Sequence, residues 1–386
     1  MSAEPPRRRP KDRKRQIVLQ ACELIVELGY PNVTMTALAE RVGITAGALY
    51  RHFATKSDLL DAVLRESFAG FDRTITETAL EPAVDEAIDL VTPHPHIADL
   101  WDREVRYAEP GLRRKYVDTM RAWAAQFPRV LRAHRDDLDE GNEELLVWAM
   151  QSALACLGTS TIHATPAHRR VAVRAALLAI ASAPVGPTGS ARYAPGTGRT
   201  PVSRRERLLL AAAQQFATQG YQETSMAGIG AAADVTGPNL YGYFKSKADL
   251  LRAVYERGTH YLWISLDAAF ARASTPDDAL RLVTQSYVEH SREWGSLEVG
   301  RSGEREVEAE TLGAQREYAA EWIALAQEIS PGIEPAAARL RVQIGLKVVN
   351  DLLRTPHIAR YTSANTNLAA VVHAILTDAG AEPCRS

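Results

Sequence analysis

The chain carries the same sequence pattern twice, and this duplication limits its fold more than any other feature. Residues 13–64 align without a gap with residues 204–255, at an offset of 191 positions, and share 16 identities. The identities stop near Val63, and the two C-terminal portions have diverged much further. Each half is therefore expected to begin with the same folded unit and to continue with a less similar one.

Residues 184–203 separate the two halves. This segment contains four prolines and four glycines, which break helices and are typical of linkers. On either side, apolar residues such as Ile17, Ala21 and Leu24 recur at helical spacing, whereas strand signals are nearly absent, so the sequence predicts an all-α fold. Beyond the duplicated region we expect helices at 57–80, 97–108, 112–134, 142–164 and 167–183 in the first half, and at 248–273, 277–293, 306–329, 336–354 and 364–379 in the second.

The duplicated region has the spacing of a helix-turn-helix. Thr34 and, in the second copy, Ser225 stand where a side chain caps the first short helix. Gly43 permits the positive φ of the tight turn that follows. Asp234 takes its place in the second copy and tolerates that geometry better than most residues.

The second short helix has one apolar side and one free side. Ile44, Leu49 and Phe53 would form the buried side, and a small residue, Ala39 or Gly230, would let the two helices cross closely. The free side can enter a DNA major groove, which is about 12 Å wide. We therefore predict helix-turn-helix domains at 1–56 and 204–247, helical regulatory domains at 57–183 and 248–386, and the linker at 184–203.

Charge is distributed unevenly. Residues 1–65 carry a net charge of +4 and residues 199–257 one of +3, so the rest of the chain carries −9 of the total of −2. Basic segments attract phosphate, and an acidic remainder weakens nonspecific adhesion elsewhere. A solvated, charged N-terminal tail is the alternative explanation for the first of the two basic segments.

Other function classes find little support. Three cysteines that lie far apart argue against a disulfide framework and favour a reducing cytoplasm. The longest near-apolar stretch, residues 175–183, is too short to span a membrane, for which about 20 residues are needed, and no secretory signal is seen. His94 and His96 lack a completed ligand set, and neither a phosphate-binding loop nor a nucleophile elbow occurs. We expect no catalytic residues, no metal site and no cofactor.

In these residues the sequence resembles the TetR family of bacterial transcriptional regulators. The resemblance rests on the helix-turn-helix spacing, on the Leu-Tyr-x-(His/Tyr)-Phe-x-x-Lys run at 49–56 and 240–247, and on the acidic-Leu-Leu opening of the next helix. It covers about 50 residues in each half. The two-copy layout and the basic opening are also similar to actinobacterial single-chain tandem repressors of mammalian-cell-entry and sterol or lipid catabolism genes.

The resemblance implies a set of DNA contacts. Phosphates would be bound by Thr34, Thr45, Tyr50 and Lys56 in the first copy and by Ser225, Thr236, Tyr241 and Lys247 in the second. Bases would be contacted by Ala46, Ala48, Arg51 and His52 in the first copy and by Gly237, Asn239 and Tyr243 in the second. Arg7, Arg8 and Arg9 would lie in an adjacent minor groove. Two alternatives stay open, namely that the two tyrosines are core aromatics and that His52 binds a phosphate or packs.

The two recognition surfaces differ in sequence, which predicts an asymmetric operator. Its half-sites would lie about 34–36 Å apart if both halves dock on one face of the DNA. The last two helices of each half would form an intramolecular four-helix bundle in place of the dimer interface of the family. A monomeric pseudo-dimer is thus expected, with a homodimer of chains as the alternative.

The resemblance also implies an apolar, lipid-like small-molecule effector, which would move the fourth helices and lower DNA affinity. Aromatic residues at helical spacing are candidates for lining its pocket, although such a stripe is commonly core. The candidates are Trp101, Tyr107, Met120, Trp123 and Phe127 in the first half and Tyr261, Tyr287, Trp294, Tyr318 and Trp322 in the second. The competing hypothesis is a ligand- or protein-binding module in which the second copy, or both copies, are structural and do not contact DNA.

Overall fold

A computed structural model describes residues 10–159, 162, 164–189, 191, 199–235, 237–294, 305–360 and 363–377. Every regular element among these residues is a helix, so the predicted all-α fold is confirmed. The α-helices are α1 Pro10–Leu28, α2 Met35–Val42, α3 Ala46–Tyr50, α4 Lys56–Ser67, α5 Leu80–Val91, α6 Ile97–Asp99, α7 Pro110–Ala124, α8 Phe127–His134, α9 Glu140–Ala155, α10 Pro166–Ala181, α11 Arg204–Gln219, α12 Met226–Ala232, α13 Gly237–Tyr241, α14 Lys247–Arg272, α15 Pro276–Trp294, α16 Arg305–Ile329, α17 Pro335–Leu353, α18 Pro356–Ala359 and α19 Ala364–Thr377.

The helices belong to two compact units whose division does not coincide with the linker. The first unit contains the described residues of 1–134 and 154–170, and the second contains those of 135–153 and 171–386. Most of α9 and most of α10 therefore lie in the second unit, together with all of α11–α19. The domain boundaries given above follow the sequence repeats and stay a prediction.

The fourth helix differs between the repeats. In the second repeat α14 runs without a break from Lys247 to Arg272, as expected. In the first repeat the expected helix at 57–80 is wrong, because α4 ends at Ser67 and the chain turns at Gly70, whose φ is 98°. Phe68 and Phe71, on the two sides of this turn, are both buried, so the packing of their rings fixes the break.

Two further helices expected in the first repeat are also interrupted. The segment expected as one helix at 97–108 consists of the single turn α6, a π-helix at Leu100–Glu104 and a 3₁₀ turn at Val105–Tyr107. The segment expected at 112–134 is divided into α7 and α8. Pro128 in the first turn of α8 explains the second break, because proline is tolerated at a helix start and not in its interior.

Both duplicated regions fold as three short helices with the same turn. Gly43 follows α2 with a φ of 70°, and Asp234 follows α12 with a φ of 52°, so both occupy the left-handed region. The next amide then donates back across the turn, from Ile44 to the carbonyl of Ala39 and from Val235 to the carbonyl of Gly230, at 2.9 Å in each copy. The predicted tight turn is therefore confirmed in both copies.

Gly230 lies where α12 crosses the start of α13. A Cβ atom built on Gly230 would lie 2.7 Å from the carbonyl oxygen of Val235 and 2.8 Å from a methyl group of Leu240. Distances this short cannot be relieved by a flexible side chain, because one of the two neighbours is backbone. Glycine is therefore required at this crossing in the second copy, whereas alanine is accepted at the aligned Ala39.

In the second unit, the backbone of residues 184–189, which we call the strap, is held by buried amides of both repeats. The side-chain amide of Asn142, on α9, donates to the carbonyl of Gly186 at 2.8 Å. The amide of Asn367, on α19, donates to the same carbonyl at 2.8 Å and to the side-chain oxygen of Asn142 at 2.7 Å. The N–H of Gly186 donates in turn to the oxygen of Asn367 at 2.9 Å. The strap is thus part of the interface between the helices of the two repeats.

The next residues of the strap are fixed in the same way. The N–H and hydroxyl of Thr188 donate to the carboxylate of Asp139 at 2.7 and 2.6 Å, and the hydroxyl of Ser363 donates to the Thr188 carbonyl. Burial opposes ionisation of Asp139, but the hydrogen bonds that it accepts outweigh this and lower its pKa. Asp139 therefore stays ionised and ties the strap to the start of α9.

Further contacts join α9 to α17 and α18 within this unit. The hydroxyl of Ser152 donates to Asp351 at 2.6 Å. Glu144 lies 3.4 Å from the imidazole of His357, which also packs edge-on against the Trp148 ring at a centroid distance of 5.2 Å. Polar and aromatic contacts between the repeats therefore extend along more than three turns of α9.

Within the described ranges, no helix is long and apolar enough to cross a membrane. The same residues contain no group of three or more side chains placed to hold a metal ion. Of the described cysteines, Cys22 and Cys156 are buried and form no disulfide. Burial raises the pKa of Cys22 to about 11, and Cys384 lies outside the described residues.

We predict that Gly230→Ala destabilises the second three-helix domain by about 1–3 kcal/mol, because the new methyl group overpacks a backbone contact. Thermal and urea unfolding of the full chain would measure the loss. Gly313→Ala is the matched control, since Gly313 is an exposed helical glycine with open space around its Cα. That control should be neutral or stabilising by about 0.5–1 kcal/mol. Equal effects of the two substitutions would contradict the proposed crossing constraint.

Candidate nucleic-acid interface

In the first copy, one side of α3 is buried and the other is open. Leu49 and Phe53 are buried in the three-helix core and Ile44 is half-buried. The side chains expected to contact DNA lie on the open side, with Thr45, Arg51 and His52 exposed and Ala46 and Ala48 half-buried. The Tyr50 side chain is 52% exposed, so it is not a core aromatic.

The second copy has the same arrangement with different side chains. Leu240 and Phe244 are buried beneath α13, together with Leu208 and Ile229. On the open side, Asn239 is exposed, and Tyr241 and Tyr243 are exposed to 57% and 43%. Gly237 begins α13, whereas Thr236 and the arm residues Arg7, Arg8 and Arg9 lie outside the described residues.

The capping hydroxyls are exposed at the starts of the short helices. Thr34 accepts a hydrogen bond from the N–H of Ala37 at 3.1 Å, and Ser225 accepts one from Gly228 at 3.0 Å. In α3 the hydroxyl of Thr45 caps the N–H of Ala48 at 3.2 Å. A hydroxyl that accepts through its oxygen still has a proton to donate, so each cap can also bind a phosphate oxygen. The positive end of the helix dipole favours an anion at the same place.

Lys56 and Lys247, which occupy the same position in the two copies, both have partners inside their own domain. The ammonium of Lys56 donates to the carbonyl of Pro31 at 3.1 Å and lies 4.4 Å from the centre of the Tyr30 ring. Burial lowers the pKa of Lys56. Lys247 repeats this contact, with its ammonium 2.8 Å from the Tyr221 carbonyl, 3.0 Å from that of Thr224 and 4.2 Å from the Tyr221 ring centre. Both ammonium groups therefore hold the loop that connects the first two helices of the domain.

A second pair of cations occupies equivalent positions, and sequence reasoning did not single it out. Lys14 lies over the Phe53 ring at 5.3 Å, and Arg205 lies over the Phe244 ring at 5.2 Å. Both cations are exposed and stand 191 positions apart, as do the two rings. The sequence signal for this pair was a basic residue at the same position of both copies. The charge is shared, but the residue type is lysine in the first copy and arginine in the second. Because both cations are exposed, they are further candidates for phosphate contacts.

In the first unit, the π-helix connects the regulatory helices to the helix-turn-helix. Glu104 is buried and accepts a hydrogen bond from the N–H of Tyr30 at 3.1 Å, while Arg103 donates to the carbonyl of Val26 at 3.1 Å. Tyr107 packs against Tyr30, with ring centres 5.4 Å apart. Burial raises the pKa of Glu104, and the Tyr30 N–H only partly opposes this shift. The π-helix thus holds both the end of α1 and the loop that Lys56 contacts.

Three of the five residues predicted to line a ligand pocket in the first half belong to one cluster of aromatic rings. Trp123 and Phe127 are buried and lie 5.8 Å apart, and Phe71 lies 5.5 Å from Trp123. Trp101 joins the cluster through Phe68 at 6.1 Å. Tyr107 instead packs on Tyr30, and Met120 is half-buried on α7.

Three of the five ligand-pocket candidates of the second half form a buried group on α15 and α16. Tyr287, Tyr318 and Trp322 are buried, with ring centres 5.7–6.4 Å apart. Tyr261, on α14, stacks on His290 at 4.5 Å. Trp294 ends α15, but its side chain lies outside the described residues.

Comparison with known proteins agrees with this geometry. The family model described as "Bacterial regulatory proteins, tetR family" matches the chain twice, at residues 17–63 and 208–254. Each match covers one set of three short helices and the start of the following helix.

Individual relatives match over 80–117 residues. An uncharacterised HTH-type transcriptional regulator of Mycobacterium tuberculosis (strain ATCC 25618 / H37Rv) is 32% identical over 80 residues, which are 19% of this chain and 41% of the relative. The HTH-type transcriptional repressor KstR2 of Mycolicibacterium smegmatis is 32% identical over 87 residues, or 22% of this chain and 42% of the relative. The fatty acid metabolism regulator protein of Bacillus subtilis is 25% identical over 117 residues, or 28% of this chain and 60% of the relative.

These matches span less than two thirds of each of the three relatives, so they concern a part of each protein. The two matches of the family model, in contrast, fall on both copies of the duplicated fold at the same offset as the sequence repeat. Each half of the chain therefore contains one N-terminal domain of the tetR family of bacterial regulatory proteins, and the two domains stand in tandem.

Proposed function

We propose that this tetR-family chain is a ligand-responsive transcriptional repressor that binds an asymmetric operator through two non-identical helix-turn-helix domains. The observation that carries the proposal is that the two copies share one helical scaffold but present different side chains on the open sides of α3 and α13. In both copies an exposed hydroxyl, that of Thr34 or Ser225, caps the first short helix, and an exposed tyrosine ends the second short helix, α3 or α13. These are groups that position DNA by its phosphates.

The side chains available for base contacts differ between the copies. Arg51 and His52 stand where the second copy has Gly242 and Tyr243, and Ala48 stands where it has Asn239. Arginine favours guanine, whereas asparagine favours adenine, because each makes two hydrogen bonds to that base in the major groove. Two unlike half-sites are therefore expected.

The strap supports a monomeric pseudo-dimer. Its hydrogen bonds join α9 and α19 through the backbone that links the two repeats, so the interface is made within one chain. The amides of Asn142 and Asn367 are buried and paired there, and separating them would leave several polar groups unsatisfied. This favours one chain per operator.

Relatives support the direction of control and the class of effector. KstR2 of Mycolicibacterium smegmatis is a transcriptional repressor, and the Bacillus subtilis relative is a fatty acid metabolism regulator. The name of the first relative supports repression, and the name of the second supports an effector from fatty acid metabolism. A coupling of about 1–3 kcal/mol between the effector and DNA would change operator affinity by roughly five- to 150-fold.

One observation favours the alternative in which the second copy is structural. Lys247 holds three loop carbonyls, so its presence is explained without DNA. Tyr241 instead favours DNA binding by the second copy, because an aromatic side chain that is 57% exposed contributes little to the core. The tyrosine hydroxyls therefore separate the two hypotheses better than the lysines do.

The proposal predicts that selection of bound DNA from a random duplex pool, with the full chain at fixed salt, returns an asymmetric two-part site. Light scattering of the complex should give one chain of 42.3 kDa per DNA duplex. A palindromic site with two chains bound would contradict the proposal that one chain binds the operator through two different domains. Absence of an enriched site would favour the ligand- or protein-binding alternative.

We predict that Tyr50→Phe and Tyr241→Phe each weaken operator binding by roughly ten- to 100-fold, because each removes a hydrogen bond to a charged phosphate. Unfolding temperatures should stay unchanged, since both side chains are exposed. Fluorescence anisotropy with the selected operator would measure the affinities.

Lys247→Met is the matched control for the second copy. It should lower the unfolding temperature, because the loop carbonyls of Tyr221 and Thr224 lose their donor. If Tyr50→Phe weakens binding and Tyr241→Phe does not, the second copy is a structural partner only.

Glu104 gives a prediction with a defined pH dependence. Its pKa in the folded chain is raised above the unfolded value of about 4.3 by burial, so the ionised carboxyl opposes folding. That cost is present above the folded pKa and disappears as pH falls through it. Glu104→Gln keeps an acceptor for the Tyr30 N–H and removes the charge. The variant should therefore melt at a higher temperature than the native chain at about pH 8, and the difference should vanish towards about pH 4.

Glu104→Ala is the control that removes the acceptor. It leaves the Tyr30 N–H without its partner and should destabilise the first unit by about 1–3 kcal/mol at neutral pH. A glutamine variant as unstable as the alanine variant would show that the charge of Glu104, and not its acceptor oxygen, holds the loop.

A further inference from the structure

The fourth helices of the two repeats carry opposite charges at equivalent positions. At the offset of 191, three charged residues of α4 align with residues of the opposite sign in α14, namely Asp61 with Arg252, Arg65 with Glu256 and Glu66 with Arg257. In the first turn of α4, by contrast, Lys56 and Asp58 keep their sign in the second copy. The inversion therefore concerns the part of the helix that follows its capped start.

One inverted position belongs to an ion pair that occurs in both copies with exchanged signs. In the first unit, Nε of Arg15 on α1 lies 2.7 Å from a carboxylate oxygen of Glu66 on α4. In the second unit, a guanidinium nitrogen of Arg257 on α14 lies 2.8 Å from a carboxylate oxygen of Glu206 on α11. Arg15 aligns with Glu206, so the cation stands on the first helix in one copy and on the fourth helix in the other.

The apolar side chains of the same contact do not distinguish the copies. In each unit the first helix of the repeat packs on the fourth, α1 on α4 and α11 on α14. The buried leucines of the two fourth helices are identical, Leu59 and Leu60 in α4 and Leu250 and Leu251 in α14. On the first helices, Ile17 aligns with Leu208, and both are buried. Apolar burial is non-directional, so it would let either first helix pack on either fourth helix.

A second inversion lies on the side of the fourth helix that faces the regulatory helices. In the second unit, Nε of Arg252 on α14 lies 2.7 Å from a carboxylate oxygen of Glu310 on α16. The first repeat has Asp61 at the position of Arg252. If α4 took the place of α14, this aspartate would meet Glu310 with a like charge. The two fourth helices are therefore not interchangeable at this contact either.

Two first helices and two fourth helices on one chain compete for partners. Misassembly between similar domains is a characteristic failure of multidomain and repeat chains. Exchange would place α1 on α14 and α11 on α4. It would bring Arg15 to Arg257 and Glu206 to Glu66, so two attractive pairs would be replaced by two repulsive pairs.

We propose that the inverted charges make each first helix select the fourth helix of its own repeat, so that each three-helix domain stays joined to its own regulatory helices. A single exposed ion pair adds little to stability. Selection depends instead on the difference between the native and the exchanged arrangements, to which lost attraction and new repulsion both contribute. The inference goes beyond the proposed function, because it concerns the pairing of helices and holds whether or not either domain binds DNA.

The direction of the helices allows the two arrangements to be trapped by engineered disulfides. Arg15 lies at Glu66, whereas Tyr30, just after α1, lies at Lys56, so α1 and α4 are antiparallel. Position 19 is one turn after Arg15, and position 62 is one turn before Glu66, so the two positions are expected to be neighbours.

The two reporters share one cysteine and are made in the full chain. Leu19→Cys with Ala62→Cys reports the native arrangement. Leu19→Cys with Ala253→Cys reports exchange, because Ala253 aligns with Ala62. After unfolding in urea and refolding under mild oxidation, mass spectrometry of the joined peptides would measure the yield of each disulfide.

The decisive variant is Arg15→Glu combined with Glu66→Arg. It keeps the ion pair and the net charge, but gives both repeats the same signs at this contact. We expect the exchange disulfide to be at least about fivefold more abundant in this variant than with native charges, whereas the unfolding temperature stays similar. An exchange yield that does not rise would overturn the proposal.

Inversion of the Arg41 and Glu27 pair is the matched control. These side chains form two hydrogen bonds of 2.7 Å between α2 and α1, and the second copy has Ala232 and Thr218 in their places. Arg41→Glu with Glu27→Arg therefore changes no sign relation between the repeats and should leave the exchange yield unchanged. A rise equal to that of the decisive variant would show that loosening of the domain permits exchange, and would overturn charge selection.

Salt gives a second test that needs no change of charge. At 1 M salt the screening length falls to about 3 Å, from about 10 Å at 0.1 M, so like charges repel less. The exchange reporter with native charges should then give at least about twofold more disulfide at 1 M than at 0.1 M salt. A yield that is independent of salt would contradict selection by charge.

Discussion

The second unit depends on how the chain crosses from one repeat to the other. At Gly186 the backbone lies between the side-chain amides of Asn142 and Asn367, and each of these three groups binds the other two. Buried amides are tolerated only when they are paired, so the strap and the two asparagines require one another. The strap is thus a structural element of the interface between the helices of the two repeats.

This arrangement also breaks the symmetry that two similar halves would otherwise share. Asn142 lies in the first turn of α9, whereas the first turn of α17, its counterpart, reads Pro-Ala-Ala-Ala. Asn367 lies on α19, whereas α10 contains no asparagine. Two copies of either half could not form this polar group across a two-fold axis, because one of the two asparagines would be missing. A single polar position that selects one pairing over another is the best-attested use of buried polar groups.

The helix-turn-helix could be predicted from sequence because its determinants are local. A cap, a turn residue with positive φ and an apolar residue every three or four positions are each visible in a short window, as at Thr34, Gly43 and Leu49. The early end of α4 had a visible signal in Gly70, but an isolated glycine within an apolar pattern does not by itself end a helix. The sequence gives no signal for the direction of the Lys56 and Lys247 side chains. A lysine at this position can bind either a DNA phosphate or a backbone carbonyl of the loop. Only the fold shows that the loop carbonyls lie within hydrogen-bond distance of both ammonium groups.

The two repeats connect their regulatory helices to their DNA-binding domains through different elements. In the first, the π-helix brings Arg103 and Glu104 to the end of α1 and the following loop. In the second, α14 starts at Lys247, whose ammonium holds the equivalent loop, and continues unbroken to Tyr261, about 21 Å further along its axis. A rigid helix transmits a displacement at Tyr261 directly to Lys247 and hence to the loop before α12. In the first repeat the π-helix takes this place, and Glu104 on it reaches the N–H of Tyr30. In the proposed function, these unlike connections would give the two helix-turn-helix domains separate routes by which a ligand acts on them.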